Sequence, residues 1–590
     1  MIKNGKCNYV IVIGKDCIPA EKTAAETLQN HLEKISSVKI PIVTDESSIS
    51  EYEIIVGKTN REGISYPAIE KDLGSDGVYI KSFGKTLVIS GGQPRGTLYA
   101  VYTFLEEYLD CRWFTSELII IPKKSTVEFP KDYEYIFVPP LEYRETDWIS
   151  PHNITYSVAN KLNGLSYRVL DENVGGGIGY AKRLCHTFTS IFVKPEEYYD
   201  EHPEYFALID GKRIKENTQL CLTNPDVLQV VIDEVQAMLD EDPGIKLISL
   251  TQADNQNYCR CEKCEALNKR EDSCTATNLA FVNAVARHFK DKYPNLKFDT
   301  FAYQHTRKPP KTLKPESNVV VRLCSIECCF AHPLCDESCS ENAHFKSDIE
   351  QWSKIADKLY IWDYTTNYAN YNAIFPNFKV LKPNMKFFVE HNAVGIYEEG
   401  NYEANVSNGE FAELRAYLLS KLLWNPDADT DKLTEEFCKA YYGEAAEYIM
   451  EYIKVCCLRA ATNVSREAVT FGEKTHMRIY AGADEPCMDL TVGDVKYFDE
   501  IWEKAKSAKL TDEQLKNVKL SEISWRYWKK TNEVSEFTSY QSEEKQLAAA
   551  QKLYDDMKAA GITRIHECYW GVMTDTPDLM KKPFWWKVGK

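Results

Sequence analysis

The chain has 590 residues, of which 44% are hydrophobic and 27% are charged, and its formal net charge is −17. This composition is typical of a folded globular protein and excludes a disordered chain, a collagen and a coiled coil. The negative charge argues against nucleic acid as a partner, because phosphate backbones would be repelled. Aromatic residues make up 12% of the chain, which fits large cores or, alternatively, rings that stack on sugars.

The N-terminal sequence predicts neither a targeting segment nor a membrane span. Its apolar run covers only residues 9–13, which is too short for the core of a signal peptide or for a transmembrane helix. We therefore expect a cytoplasmic protein with no membrane partner, or a secreted one if a leader has been removed. The sequence leaves the oligomeric state open.

Residues 1–139 are predicted to form an α/β domain. Short apolar strands are expected at residues 9–13, 53–56, 77–80 and 86–90, and helical spacing of apolar residues predicts helices over 20–35 and 96–109. The pair Gly91-Gly92 lacks the spacing of a dinucleotide-binding loop, so we interpret it as a tight turn into the second helix.

Residues 140–408 alternate between strands and helices, the pattern of a parallel sheet covered on both faces. Eight such units close into a (β/α)₈ barrel, and six strands are clear from the sequence: residues 141–148, 246–255, 297–305, 318–327, 358–367 and 393–399. Two further strands are expected between residues 155 and 222, where the signal is weak. Residues 409–590 are predicted to form a helical C-terminal domain.

Several of the predicted barrel strands end in acidic, amide or aromatic residues. The βα loops at the carboxyl ends of barrel strands form the concave face where such enzymes place their reactive groups. The residues concerned are Asp147, Trp148, Asp254, Asn255, Tyr303, His305, Arg322, Glu327, Trp362, Asp363, Tyr364, Asn367, Tyr397, Glu398 and Glu399. One strand-end Asp could simply cap the next helix, but several acidic strand ends together favour cleavage of a glycosidic bond by carboxyl groups.

Nine cysteines lie between Cys259 and Cys339. Thiolates at the spacing of Cys259, Cys261 and Cys264 can bind a structural zinc ion. The cysteines that follow are irregularly spaced, so buried free thiols that pack two loops are the favoured interpretation. No motif for a catalytic metal or a cofactor is present, and we predict that none is required. His186 is a possible ligand-binding residue, although a lone histidine is more often structural.

Several motifs resemble those of known glycoside hydrolases. The segment from Gly91 to Tyr102, followed by Cys111-Arg112-Trp113-Phe114, resembles the N-terminal non-catalytic domain of α-glucuronidases and β-hexosaminidases. The barrel segments resemble the bacterial group called domain of unknown function 4838, which includes glycoside hydrolase family 163, endo-β-N-acetylglucosaminidases acting on N-glycans. These segments are residues 251–255, 259–264, 318–328, 362–367, 395–400, 414–417 and 424–427.

This resemblance implies cleavage of a β-N-acetylglucosaminide bond in which the acetamide oxygen of the substrate acts as nucleophile. The protein then supplies a group that orients the acetamide and a general acid. We expect Asp254 and Glu398 to be the two catalytic carboxyl groups. The last strand reads Glu398-Glu399-Gly400 where Glu-Gln-Gly is expected, and Glu398 is matched to the family position. The predicted substrate-binding residues are Trp148, His186, Asn255, Tyr303, Arg322, Glu327, Trp362, Asp363, Tyr364 and Asn367.

Three alternatives remain open at this stage. An exo-acting α-glucuronidase or β-hexosaminidase is possible, and Arg322 or Arg144 could then bind a substrate carboxylate. A carbohydrate-binding protein without catalytic activity would keep the aromatic residues. A zinc-dependent hydrolase would use the cysteine cluster. The expected partner is in each case an oligosaccharide or related small molecule.

Overall fold

The computed structural model describes residues 2–3, 5–66, 72–128, 132–403, 409–462, 476–480, 488, 490–567, 573 and 578–580. The chain divides into two compact units. The first consists of Met1–Glu145, Ile149–Gly177 and Ala416–Asn425, and the second of Thr146–Trp148, Ile178–Arg415 and Pro426–Lys590. The predicted domain boundary at residue 408 lies outside the described residues.

The first unit is built on a six-stranded mixed sheet with the order β6-β4-β5-β3-β1-β2. Its strands are β1 (Val10–Ile13), β2 (Ile42–Thr44), β3 (Glu53–Val56), β4 (Val78–Phe83), β5 (Thr86–Gly91) and β6 (Glu134–Phe137). Helices α1 (Pro19–Ser36) and α2 (Gly96–Glu107) contribute Leu28, Leu32 and Leu105 to its core. The predicted strands and helices of this region are confirmed. Short strands at Ile2–Lys3, Lys6–Cys7 and Thr126–Val127 form a small three-stranded sheet, and Arg112–Trp113 pairs with Ile119–Ile120.

Asp76 is the centre of a buried ion-pair network in the first unit. Asp76 accepts from Arg95 at 2.7 Å and from Arg144 at 2.6 Å, and these cations hold the pKa of Asp76 below its ordinary value against the effect of burial. Arg144, proposed from the sequence as an alternative substrate clamp, is fully buried in this network. Removing one partner of such a network leaves a buried charge uncompensated, which is strongly destabilising.

The second sheet has six strands in the order β7-β12-β11-β10-β9-β8. They are β7 (Tyr143–Thr146), β8 (Leu247–Ser249), β9 (Lys297–Ala302), β10 (Val319–Cys324), β11 (Leu359–Tyr364) and β12 (Ala393–Glu399). Strands β8 to β12 are parallel throughout. All six strands that the sequence predicts clearly are present. The sheet is a curled, parallel half-barrel.

The two weak strands expected between residues 155 and 222 do not form. This stretch contains a π-helix at Phe188–Phe192 and a short hairpin of Leu208–Ile209 and Lys212–Arg213. Irregular chain lies along the edge of β8 instead, where the Ala181 N–H donates to Leu247 O at 3.0 Å and the Phe188 N–H donates to Thr251 O at 3.0 Å. The glycines and polar residues of this stretch provide no continuous apolar run for a buried strand.

Helices cover one face of the second sheet and continue through the C-terminal part of the chain. Those between strands are α3 (Pro225–Glu241), α4 (Glu262–Glu271), α5 (Thr275–Phe289), α6 (Ser340–Trp352) and α7 (Phe378–Glu390). They are followed by α8 (Ala412–Trp424), α9 (Thr430–Tyr442), α10 (Ala446–Thr462), α11 (Val492–Ser507), α12 (Asp512–Thr531) and α13 (Glu543–Ala559). Among the described residues, no helix combines the length and the hydropathy needed to span a bilayer.

Candidate active site

The two faces of the half-barrel differ in chemistry. Phe298 of β9 packs against Phe289 of α5, with ring centroids 5.9 Å apart, and Thr300 accepts a hydrogen bond from Asn278 of the same helix at 2.8 Å. Residues Phe298, Thr300 and Ala302 therefore point to the helices. Because side chains alternate along a strand, Asp299 and Phe301 point to the opposite face, which we call the inner face.

The strand register extends this assignment to the acidic strand ends. Ala302 is in register with Leu323, Ile361 and Ile396, so these residues share the helix-facing side. Two residues further along, Asp363 and Glu398 lie on that same side, in register with each other. The expectation that Glu398 faces the substrate disagrees with this geometry. Glu399, its neighbour, lies on the inner face.

Arg322 forms part of the floor of the inner face. Its guanidinium pairs with Asp299 at 2.8 Å and lies 4.5 Å from the ring centre of Tyr180 and 5.5 Å from that of Trp362. The side chain is fully buried. Its position therefore suits support of the aromatic side chains above it rather than the direct contact with substrate that the sequence suggested.

Glu399 ends the last strand beside this floor. Its Oε2 accepts a hydrogen bond from the indole N–H of Trp362 at 2.8 Å, and its backbone carbonyl accepts from the Thr365 N–H at 2.8 Å. Burial raises the pKa of Glu399 well above its ordinary value, and the negative charge of Asp147 raises it further. The indole N–H only partly opposes this effect. A raised pKa favours the protonated form of the carboxyl group, which is the form that a general acid uses.

Asp147 and Trp148 contact residues next to Glu399 and so fix the end of its strand. Asp147 accepts from the Gly400 N–H at 2.5 Å and from the Tyr397 hydroxyl at 3.0 Å. Trp148 is buried and donates from its indole to Thr365 Oγ1 at 2.9 Å. A Cβ at Gly400 would lie 2.6 Å from Trp148 Cε2, so only glycine fits there. Trp148 is a packing residue in this arrangement, and its ring is not available to stack on a sugar.

Asp254 lies in the loop after β8 with its side chain exposed. The Tyr303 hydroxyl donates to Asp254 Oδ1 at 3.0 Å and itself accepts from Gln304 Nε2 at 2.9 Å. The His186 ring lies 6.3 Å from that of Tyr303, and its Nδ1–H donates to Gln252 O at 2.8 Å. Burial lowers the pKa of His186, while the charge of Asp254 opposes the shift. The structure thus brings Asp254, Tyr303 and a neutral His186 together.

Tyr480, from the C-terminal part of the chain, is under the electrostatic influence of both carboxyl groups. Partial burial and its hydrogen bond to Glu567 Oε2, at 2.5 Å, raise the pKa of Tyr480, and the charges of Glu399 and Asp254 raise it further. Both carboxyl groups therefore contribute to the electrostatic environment of the Tyr480 hydroxyl. Glu567 also accepts from the Tyr402 hydroxyl at 2.6 Å. Sequence reasoning missed Tyr480 and Glu567, because they belong to a region without a motif.

Asp363 and Glu398 form a buried pair on the helix-facing side. Asp363 accepts a hydrogen bond from the Ser325 hydroxyl, and burial raises its pKa to about 6. Burial also raises the pKa of Glu398 well above its ordinary value, and the charge of Asp363 adds to the effect. Ionisation of one buried carboxyl group raises the cost of ionising its neighbour, which is why the charge of Asp363 raises the pKa of Glu398.

The remaining predicted residues have the following positions. Asn255 Oδ1 accepts from the Asn257 N–H at 3.0 Å and from Gln219 Nε2 at 3.2 Å, which makes it part of the loop framework. Tyr364 is buried on the inner face, 6.0 Å from the ring of Tyr368, and Asn367 is buried. Glu327 is exposed and paired with Arg307. It lines a surface cavity of about 430 Å³ with Arg307, Glu341, His344 and Arg478.

Two groups of side chains in the described part of the chain are close enough to share a metal ion. They are Cys221, Cys259, Cys261 and Cys264, and Cys329, His332, Cys339 and His476. Neither group includes Asp254 or Glu399.

Two family models match the chain. Residues 113–454, more than half of the chain, match the family model of domain of unknown function DUF4838. The chain belongs to this family. Residues 3–104 match the model of the glycosyl hydrolase family 67 N-terminus. No curated protein sequence matches the chain.

Solved structures share the fold at low sequence identity. A family GH115 4-O-methyl-α-glucuronidase, BtGH115A, described as specific for decorated arabinogalactans, is 12% identical with a TM-score of 0.58, over 95% of this chain and 77% of that one. A GH138 enzyme targeting pectin rhamnogalacturonan II is 12% identical with a TM-score of 0.43, over 94% of this chain and 73% of that one. CpGH84B is 12% identical with a TM-score of 0.45, over 95% of both chains. The family models and this fold indicate a glycoside hydrolase.

Proposed function

We propose that the protein hydrolyses a β-linked N-acetylglucosaminide bond in an oligosaccharide of the N-glycan type, with Glu399 as general acid and Asp254 as the group that orients the acetamide. The observation that carries the proposal is the contrast between two carboxyl groups that each accept a hydrogen bond from an aromatic side chain, Glu399 from Trp362 and Asp254 from Tyr303. Glu399 is buried, which raises its pKa well above the ordinary value, and Asp254 is exposed. Carboxyl groups whose environments differ in this way divide acid and base roles between them.

In the proposed reaction, Glu399 gives its proton to the glycosidic oxygen as the bond from that oxygen to C1 breaks. The carbonyl oxygen of the acetamide bonds to C1, and the Asp254 carboxylate accepts a hydrogen bond from the acetamide N–H and balances the positive charge that develops. Water then attacks C1, the C1–oxygen bond of the ring intermediate breaks, and the Glu399 carboxylate takes a proton from the water. Both carboxyl groups return to their starting state.

Side chains around the two carboxyl groups suit sugar binding. Tyr303 orients Asp254 through its hydroxyl, and Trp362 does the same for Glu399 through its indole N–H. Half-exposed Tyr480, whose ring centre lies 5.6 Å from that of Tyr368, offers a further ring and hydroxyl. The half-barrel would serve as the catalytic face of a (β/α)₈-type barrel in which irregular chain takes the place of two strands.

The proposal is tested by incubating the protein with a panel of N-glycans and identifying the fragments by mass spectrometry. We expect cleavage next to N-acetylglucosamine and no release from chromogenic monosaccharide glycosides, because an endo-acting enzyme needs sugars on both sides of the bond. A protein that binds these glycans but yields no fragments would instead be a carbohydrate-binding protein.

One observation favours a second candidate, an exo-acting α-glucuronidase. Arg183 is exposed, and its positive charge opposes the effect of burial on the thiol of Cys185, whose pKa is raised to about 11 by burial and by the charge of Glu399. An exposed guanidinium in this electrostatic environment could bind the carboxylate of a glucuronic acid residue. Release of glucuronic acid from an α-glucuronide, lost in Arg183→Ala, would favour this candidate.

A further inference from the structure

Four cysteine sulfur atoms lie together beside the loop that carries Asp254. Three of them lie between β8 and the first turn of α4: Cys259, Cys261 and Cys264. The fourth, Cys221, is 40 residues before Cys261 in the sequence. The four Sγ atoms all lie within 4.8 Å of one another. The sequence motif by itself shows only three ligands. The fold supplies the fourth.

The spacing of these sulfur atoms suits one tetrahedral ion. Zinc–thiolate bonds of about 2.3 Å place the corners of a regular tetrahedron about 3.8 Å apart. The Sγ atoms of Cys221 and Cys261 are 3.7 Å apart. A disulfide would require about 2.05 Å between two of them. The cluster is therefore arranged as a ligand set.

Neighbouring groups complete the surroundings that a zinc–thiolate site needs. The Leu208 N–H donates to Cys259 Sγ at 3.4 Å, and Arg213 donates to the same sulfur at 3.7 Å. Four thiolates around Zn²⁺ leave a net charge of −2, which hydrogen-bond donors and a cation stabilise. Thr223 Oγ1 lies 3.1 Å from Cys264 Sγ and can donate to it as well.

A second, independent cluster combines Cys329, His332 and Cys339 of the loop after β10 with His476 from the C-terminal part of the chain. Cys329 Sγ is 3.2 Å from His332 Nδ1, and Cys339 Sγ is 3.8 Å from His476 Nδ1. Ideal tetrahedral geometry gives about 3.6 Å for such a sulfur–nitrogen pair. His332 Nε2–H donates to Ala461 O at 2.9 Å, which leaves Nδ1 unprotonated and directed at the cluster. Zinc-bound histidines use their second nitrogen in this way.

We propose that the protein binds two structural zinc ions, one at Cys221, Cys259, Cys261 and Cys264 and the other at Cys329, His332, Cys339 and His476. Both sites are closed, because each has four protein ligands and leaves no position for water or substrate. They differ in this from the catalytic zinc of a hydrolase.

The two ions would stabilise the segments that deliver residues to the candidate active site. The first site fixes the loop between Asp254 and α4. The second ties the segment 476–480 to the loop after β10, since the Phe330 N–H donates to Met477 O at 2.9 Å and the Met477 N–H donates to Cys329 Sγ at 3.4 Å. Tyr480 ends that segment. The expected effect on activity rests on the proposed function, whereas the metal content does not.

The test is the zinc content of the full-length chain, purified without chelator and with any affinity tag removed, measured by inductively coupled plasma mass spectrometry. We expect two zinc ions per chain in the native protein. Cys264→Ser and Cys339→Ser should each retain one ion, and the double variant none. Cys335→Ser is the matched control, because Cys335 is exposed, lies in the same loop as Cys339 and belongs to neither cluster. It should retain two.

A conservative variant separates loss of a ligand from loss of folding. Cys264→His replaces one zinc ligand by another and should keep two ions, with circular dichroism unchanged. Reconstitution of the metal-free protein with Co²⁺ should give absorption bands of tetrahedral thiolate coordination that weaken stepwise in the two serine variants.

Three results would overturn the proposal. A native chain with less than one zinc ion is the first, and retention of both ions in Cys264→Ser and Cys339→Ser is the second. The third is evidence that the cysteines are otherwise engaged in the protein as isolated. A denatured mass lower by two hydrogens per cysteine pair would show disulfides, and visible absorption from iron would show an iron–sulfur centre. If activity on N-glycans is absent but two zinc ions are found, only the proposed function fails.

Discussion

Replacing Glu399 by glutamine, beside the same replacement of Glu398, tests the assignment of the general acid. The two residues are adjacent, chemically identical and both buried, but they lie on opposite faces of the half-barrel. In Glu399→Gln the amide oxygen can still accept the hydrogen bond from Trp362, so the shape of the site is kept. The variant loses only the proton that Glu399 would donate.

The expected loss follows from the role of the residue. General acid catalysis contributes about 10²- to 10⁴-fold in rate, which corresponds to about 3 to 5 kcal/mol in the activation free energy at 1.36 kcal/mol per tenfold. We expect Glu399→Gln to lower kcat on an N-glycan by about this factor. Glu398→Gln should change kcat by less than about threefold, because its side chain faces the helices.

The assay is the initial rate of glycan release across a pH series, followed by liquid chromatography. In the native protein, kcat/KM should fall as pH rises through the raised pKa of Glu399, because the acid must be protonated to act. This basic limb should disappear in Glu399→Gln. If Glu398→Gln were the inactive variant and Glu399→Gln retained its rate, the face assignment from strand register would be refuted.

Three further predictions concern neighbouring residues. Tyr303→Phe removes a hydrogen bond to the Asp254 carboxylate, worth about 1.5 to 3 kcal/mol, and should lower kcat/KM by about tenfold or more in the same assay. Gly400→Ala places a Cβ against Trp148 and should cost about 1 to 3 kcal/mol of stability, measured by urea denaturation. As pH rises from 5 to 8, the melting temperature of the native protein should fall relative to that of Glu398→Gln, measured by thermal unfolding. Since the pKa of Glu398 is raised on folding, its contribution to stability is complete below its unfolded pKa of about 4.3 and is lost as pH rises through the folded pKa.

Each of these predictions has a control or a contrary outcome. Gly493→Ala lies in helix α11 with only Thr491 Oγ1 near the added Cβ, at 3.5 Å, and should not destabilise the chain. A Tyr303→Phe variant with native kcat/KM would show that Asp254 does not depend on this hydrogen bond. A stability difference between Glu398→Gln and the native protein that stays constant from pH 5 to pH 8 would contradict the raised pKa.

The helices and strands that show a regular spacing of apolar residues could be predicted from the sequence alone. Apolar runs and helical spacing gave correct positions for α1 and α2 and for the six clear strands of the second sheet, because burial of one face or both imposes a visible period on the residues. Strand ends with acidic residues indicated where chemistry would be located, and the motif at Cys259, Cys261 and Cys264 marked a possible metal site.

The faces of the sheet on which Glu398 and Glu399 lie could be assigned only from the folded structure. Both residues end the same strand, and the assignment depends on the register with β11 and on the position of the helices. The same holds for ligands and site residues that are distant in sequence. Cys221 completes a cluster begun after β8, and Tyr480, from the C-terminal part of the chain, is under the electrostatic influence of Glu399. Residues brought together by chain folding share no local period, so sequence spacing carries no record of their contact.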